Sequence, residues 1–248
     1  MLTEERFSRI IEVLEQTGSV TVSELMKELD ASESTIRRDL NTLDANGRLT
    51  KVHGGAIAKT TGYTTRDDEV LLRKERNKEE KLVVAKYAAS LIEADDFVYL
   101  DAGTTTESII DYIDTKEAVF VTNALTHAKK LSQKGCRVYI LGGEFKDKTE
   151  AIVGEEAVAS IDKYNFTKGF FGTNGITKKN GFTTPEIKEA LVKRKAMENS
   201  RECYVLADTT KFNQISAVTF AEFDRATIIT NQIGQKEYRS CKNIVEVK

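Results

Sequence analysis

The chain has 248 residues, 31% charged and 40% hydrophobic, with a formal net charge of −2, which is enough length to bury a sizeable core and to divide into a small and a larger domain. No apolar run approaches the roughly 18 residues of a membrane span, and Met1-Leu2-Thr3-Glu4-Glu5 lacks the basic and apolar regions of a secretory signal, so no membrane partner is expected and the location is expected to be cytoplasmic. Cys136, Cys203 and Cys241 are odd in number and form no CxxC pair; they read as reduced thiols, and with only His53 and His127 to assist them neither a metal site nor a cofactor is expected.

In chain order, Thr3 is placed to cap a first helix, with Glu4 and Glu5 at its positive end and Phe7, Ile10, Ile11 and Leu14 as its buried stripe, ended by Gly18. Thr21-Val22-Ser23-Glu24 has the spacing of a capping box and opens a second helix through Leu25 and Leu29. Ala31 and Ser32 make a tight connection, and Ser32 caps a third helix over residues 33–45. Wound at about 3.6 residues per turn, that helix puts Ile36, Leu40 and Leu43 in one narrow arc and Ser34, Arg37, Arg38 and Asn41 in the opposite one. The outer arc carries two guanidinium groups, an amide and a hydroxyl with no acid among them, the groups that pair with base edges and phosphates in a major groove. Asp39 points to the side. Asn46-Gly47 stops the helix, and residues 49–52, Gly54-Gly55 and Ala56-Ile57-Ala58 form a short hairpin bearing Arg48, Lys51 and His53.

Three helices and a hairpin make a winged helix-turn-helix over residues 1–58. Its charge distribution agrees: residues 1–33 hold three basic and eight acidic side chains (net −5), residues 34–59 five and two (net +3), and local charge governs attraction to phosphate. The bland alternative is a helical mini-domain whose arginines only solvate a surface; the caps, the helix lengths, the tight turn and the basic wing weigh against it. The expected contacts to a double-stranded DNA operator are Thr21, Ser32, Ser34, Thr35, Arg37, Arg38, Asn41, Arg48, Lys51 and His53.

The run Ser32-x-x-Thr35-Ile36-Arg37-Arg38-Asp39-Leu40, preceded by Arg6, Ile10 and Leu14 and followed by Val52-His53-Gly54-Gly55-Ala56, resembles the signature of the DeoR family of bacterial transcription regulators.

Residues 59–68 are polar and aperiodic, a linker by composition, and residues 69–248 form the second domain. A charged helix is expected over 69–92, with Leu82, Val83, Ala85, Tyr87 and Leu91 among its buried candidates. Strands then alternate with helices: 97–100, 118–121 and 137–141 with a helix over 125–133, then 168–172, 203–207, 218–220 and 227–230. That alternation predicts an α/β domain with a mostly parallel sheet. Ligands bind outside the carboxyl ends of such strands, where small polar groups cluster: Asp101-Ala102-Gly103-Thr104-Thr105-Thr106, Thr122-Asn123-Ala124, Gly142-Gly143-Glu144, Gly172-Thr173-Asn174-Gly175, Gly181-Phe182-Thr183-Thr184 and Asp208-Thr209-Thr210-Lys211-Phe212. The first group suits an anion, with Lys211 as the one rim cation. Taken singly, each group also reads as a polar loop.

These segments resemble the DeoR family's C-terminal sensor domain, which is similar in fold to ribose-5-phosphate isomerase. The resemblance implies a phosphorylated sugar as effector, with Asp101 to Thr106 as the phosphate loop and Asp208 to Lys211 as the family's late Asp-x-x-Lys motif. Within the family the sequence looks like fructose-operon repressors, implying fructose 1-phosphate and an effector that releases DNA. The effector candidates are Asp101, Gly103, Thr104, Thr105, Thr106, Thr122, Asn123, Gly142, Gly143, Asn174, Gly175, Thr183, Glu186 and Lys211.

An isomerase needs a carboxylate to move a proton between neighbouring carbons. In the resembling isomerases acidic residues stand where this chain has Phe171 and Asn174, and Asp101 and Glu186 are no evident substitutes. A repressor is therefore expected, the competing reading being a phosphosugar isomerase-like enzyme with an autoregulatory DNA-binding domain. A homo-oligomer is expected, since one small winged head has little area with which to bind tightly.

Overall fold

The computed structural model describes residues 3–17, 19–46, 48–52, 54–58, 62–64, 77–233 and 236–248, in two compact units, residues 1–62 and 63–248.

The first unit holds α1 (Thr3–Thr17), β1 (Ser19–Thr21), α2 (Val22–Leu29), α3 (Glu33–Ala45), β2 (Leu49–Val52) and β3 (Gly55–Ala58). Its core is the stripe of each helix together with the strands: Phe7, Ile10, Leu14, Leu25, Leu29, Ile36, Leu40, Leu43 and Leu49 are buried. Local chemistry sets the helix ends. The Thr21 hydroxyl accepts from the Glu24 amide at 3.2 Å and the Glu24 carboxylate accepts from the Thr21 amide at 2.7 Å, a complete capping box. Asp30 ends α2 in the left-handed region, φ 47°, and the Ser32 hydroxyl caps α3 by accepting from the Thr35 amide. Thr3 lies inside α1 rather than capping it; Gly18 and Gly47, the expected stops, lie outside the described residues. The wing is larger than a hairpin. β1 joins it as a third antiparallel strand in the order β1-β3-β2, and Gly55 is required there, because a Cβ at that position would lie 2.2 Å from the Val20 carbonyl oxygen.

Gly62–Thr64 form a short strand, β4, inside the stretch expected to be linker. Residues 65–76 are outside the described residues, and α4 runs over Lys78–Ser90. Its buried face is Lys81, Val84, Ala85 and Ala88; of the expected candidates Ala85 is buried, Val83 and Leu91 are half-buried against the same core, Leu82 is half-buried and Tyr87 is exposed. Lys81 turns inward on this face and donates to the Thr104 hydroxyl at 3.1 Å.

Seven parallel strands make the main sheet of this unit: β5 (Phe97–Leu100), β6 (Val119–Thr122), β7 (Arg137–Ile140), β10 (Phe166–Gly172), β13 (Ser200–Leu206), β16 (Thr227–Thr230) and β17 (Ile244–Glu246), in the order β17-β16-β13-β10-β5-β6-β7. Successive side chains serve two cores: Val98, Leu100, Phe170 and Leu206 pack on one face, Tyr99, Phe171 and Val205 on the other. Helices α5 (Thr104–Ile109), α6 (Leu125–Gln133), α7 (Glu155–Ile161) and α8 (Ile187–Glu198) connect or cover them. Residues 218–220, expected among the sheet strands, belong instead to β15 (Val218–Ala221), which pairs antiparallel with β12 (Gly181–Thr184), itself paired with β11 (Gly175–Thr177). A second hairpin joins β8 (Glu144–Lys146) to β9 (Ala151–Val153), and β14 (Gln214–Ser216) is a further short strand.

From β5 the chain steps to β6 and β7 on one side; β10 then returns to the other side of β5. That reversal is a topological switch point, and it opens a crevice at the carboxyl ends of β5 and β10. At the opposite edge, Lys168 is held by the Leu91 carbonyl (2.7 Å), Asp96 (2.8 Å) and Glu93 (3.3 Å), and Asp96 also accepts from the Thr167 hydroxyl at 2.7 Å.

Candidate functional site

On the first unit, Ser34, Arg37, Arg38 and Asn41 are exposed on one face of α3, and Arg48 and Lys51 are exposed on and beside the wing. Two side-chain contacts change the expected picture. Glu33 belongs to this face after all: its carboxylate accepts from Arg37 Nε at 2.8 Å, one helical turn away. The wing also touches the helix, Lys51 Nζ donating to Asn41 Oδ1 at 2.6 Å, so the two are already joined. Ser32, Ser34 and Thr35 share a hydroxyl cluster at the start of α3, with the Ser32 hydroxyl 3.0 and 2.9 Å from the other two. Thr21 is exposed, but its hydroxyl is occupied by Glu24. Asp39 is buried against Arg6. His53 lies outside the described residues.

On the second unit, the crevice at the switch point is an open cleft lined by loops at the carboxyl ends of the strands. It brings together Asp101, Gly103, Thr104, Thr105, Asn123, Asn174 and Lys211 of the expected set. The loop after β5 is held open from behind. The Ala102 amide donates to Asn123 Oδ1 at 2.8 Å, and the Thr106 hydroxyl donates to the Asp101 and Gly103 carbonyls at 2.7 and 2.9 Å. Gly103, with no side chain, leaves the start of α5 without a side-chain cap.

The other expected residues serve the scaffold and do not line the cleft. Thr106 is fully buried in the bonds just given. The Thr122 hydroxyl is buried and accepts from the Ala124 amide at 3.1 Å. Gly142 lies near Ser160, and Gly143 approaches β9 so closely that a Cβ there would meet the Val153 carbonyl at 2.8 Å. Gly175 abuts the Gln214 carbonyl in the same way. The Thr183 hydroxyl ties together the Gly175 carbonyl and the Ser216 amide. Glu186 caps α8, accepting from the Lys188 and Glu189 amides.

Lys211 has company. Lys81 from α4 and Lys193 from α8 line the same cleft, as do Thr149, Thr173, Asp208 and Glu189. Lys193 is buried, ion-paired to Asp101 Oδ2, and donates to the Gly172 carbonyl at 3.2 Å. Asp101 Oδ2 also accepts from the Gly172 amide at 3.0 Å, which ties the ends of β5 and β10 together. Burial lifts the Asp101 carboxyl above its ordinary range, and Lys193 and the Gly172 amide only partly offset this. For Glu189 the balance reverses. Burial pushes its carboxyl up, but Lys193, the Thr149 hydroxyl at 2.7 Å and Lys146 at 2.9 Å hold it below its ordinary range. In sequence, Glu189 and Lys193 at i and i+4 read as an exposed helix pair; the informative sign would have been their place on a helix packed over a sheet edge.

The arrangement offers cations, hydroxyls and a helix start to an anionic ligand. Among the described residues no group of three side chains is placed to hold a metal ion, and no helix is long and apolar enough to cross a membrane.

Residues 6–61 match the DeoR-like helix-turn-helix domain and residues 76–232 the DeoR C terminal sensor domain. The chain is 45% identical to the uncharacterized HTH-type transcriptional regulator FruR of Bacillus subtilis (strain 168), over 100% of this chain and 98% of that one. It is 33% identical to the lactose phosphotransferase system repressor of Staphylococcus aureus (strain NCTC 8325 / PS 47), over 98% of each. A solved ribose 5-phosphate isomerase A from Methanocaldococcus jannaschii aligns over 55% of each chain, with TM-score 0.41 and 17% identity.

Proposed function

Because the chain belongs to the DeoR family of transcription regulators, DNA-binding repressors and not enzymes, we propose that it represses a sugar-utilisation operon and that a phosphorylated sugar, fructose 1-phosphate, binds in the cleft at the β5–β10 switch point and releases the operator. The observation that carries this is the convergence of Lys81 and Lys211 on the loop Gly103-Thr104-Thr105 in one cleft. A phosphate there gains hydroxyl and amide donors as well as two point charges, and charge-assisted bonds are stronger than neutral ones. The isomerase-like reading is set aside with the family. Of the carboxylates of the cleft, Asp101 and Glu189 are each engaged by a lysine, and Asp208 accepts from the Thr210 amide and hydroxyl.

An effector shifts DNA binding only by binding the two functional states unequally. The test is a thermal-shift screen of the full chain against fructose 1-phosphate, fructose 6-phosphate, glucose 6-phosphate and ribose 5-phosphate, followed by operator titrations with the best of them. Fructose 1-phosphate is expected to give the largest shift and to weaken operator binding. If no phosphosugar raises the melting temperature, the effector is of another class.

A further inference from the structure

Building on that reading, we infer that Asp101 is a specificity-determining residue, its Oδ1 accepting a hydroxyl of the ligand, so that the cleft selects hydroxyl-bearing phosphate monoesters over phosphate monoesters as such. Asp101 follows β5 at the switch point and is only 1% exposed. Oδ2 is doubly engaged, by Lys193 and by the Gly172 amide. Oδ1, equally buried, has no hydrogen-bond partner among the described residues, although the residue lines the cleft. A buried carboxylate oxygen without a donor is unfavourable, and this chain keeps one where a ligand enters.

The surroundings define what would satisfy it. Glu189 and Asn174 line the same cleft, and the Thr184 hydroxyl is shared between their side-chain oxygens at 3.3 Å. Lys193 is bound to Asp101 and to the Gly172 carbonyl, and Lys146 to Glu189. This part of the cleft therefore presents acceptors, and its cations are already paired. A neutral donor fits it; a second phosphate does not. The hydroxyl of a polyol is such a donor, and a site built to hydrogen-bond a hydroxyl discriminates strongly against the analogue lacking it.

The test is calorimetric titration of the full chain with fructose 1-phosphate, its single-deoxy analogues and n-propyl phosphate, repeated on Asp101→Asn. The wild-type protein is expected to bind fructose 1-phosphate at least tenfold more tightly than n-propyl phosphate, and one deoxy analogue about tenfold more weakly than its parent. In Asp101→Asn that analogue and its parent should bind alike, a coupling that general loosening of the fold would not produce. Should that variant not fold, Asp101→Ser, smaller and uncharged, carries the same comparison of the analogue with its parent. Equal wild-type binding of fructose 1-phosphate and n-propyl phosphate, or a deoxy penalty that survives in Asp101→Asn, overturns the role of Asp101 and leaves the phosphate reading standing. Binding of neither ligand overturns both.

Discussion

Arg6 on α1 grips Asp39 on α3 with two bonds, Nε to Oδ2 at 2.7 Å and a terminal guanidinium nitrogen to Oδ1 at 3.1 Å. Asp39 is buried, and its neighbours in sequence are the exposed Arg37 and Arg38. The pair thus acts with the buried stripe Ile36, Leu40 and Leu43 to hold the face of α3 on which both arginines are exposed. Removing one partner strands a buried charge or its acceptor. Arg6→Ala is expected to destabilise the first unit by about 2 kcal/mol or more, somewhat below the range for fully buried pairs because Arg6 keeps some solvent. Arg6→Lys should recover only part of this, since an ammonium cannot reproduce the two-pronged geometry. Circular-dichroism melts of the variants, with operator titrations alongside, provide the measurement.

The exposed face of α3 makes a separate prediction. If Arg37 or Arg38 bonds a guanine edge, its loss costs about 1–3 kcal/mol and relaxes specificity at one position. Glu33 holds Arg37 only through an exposed pair worth about 1 kcal/mol at most, so DNA can displace it, and Glu33→Gln should not weaken operator binding. Lys51→Ala should weaken all sequences alike and reduce the salt slope by about one. An Arg37→Ala, Arg38→Ala double variant that binds operator like the wild type would falsify the assignment.

Lys211→Ala or Thr105→Ala is expected to abolish the response of operator binding to the phosphosugar, which in cells appears as a repressor that cannot be induced. The contrast with Asp101→Asn is informative: Lys211→Ala should weaken fructose 1-phosphate and n-propyl phosphate together, by roughly tenfold or more for one charge-assisted bond. Variants that stay fully responsive would place the effector elsewhere.

Two linked heads on symmetric half-sites add their affinities, so the chain is expected to be at least a dimer when it binds its operator. Light scattering at micromolar concentration tests this, and a monomer that still binds the full operator would defeat it.

The Asp96–Lys168 pair at the amino edge of the sheet makes the stability of the second unit depend on pH. Burial pushes the Asp96 carboxyl up, but Lys168, the Glu93 amide and the Thr167 hydroxyl leave it below its ordinary range. A carboxyl lowered on folding contributes stability that is present above its unfolded pKa, about 4, and is lost as pH falls through the folded value. The melting temperature of the wild type should therefore drop below about pH 4. Asp96→Asn should melt lower at pH 7 and lose part of that acid sensitivity, as scanning calorimetry across pH 3 to about 7 would record.

The sequence by itself determined whatever depends on neighbours a few residues apart. Thr21 finds Glu24 three positions on, and Ser32 finds Thr35; Ile36, Leu40 and Leu43 share an arc by helical period alone. The strand–helix alternation and the polar loop after β5 were legible for the same reason. Only the tertiary structure decided which polar groups share the cleft. Asp101 and Lys193 are 92 positions apart, and nothing local marks them as partners until strand order sets β10 beside β5 and α8 packs over their ends. Glu189 and Lys193 look like a solvated pair until packing buries them. Lys81 was not among the buried candidates of its helix, because a long lysine reads as solvated in sequence and turns inward only where the fold sets an acceptor, here the Thr104 hydroxyl. The wing's third strand and the Arg6–Asp39 grip escaped likewise. Pairings across the fold obey burial and charge satisfaction, which operate on distances in space that spacing along the chain does not encode.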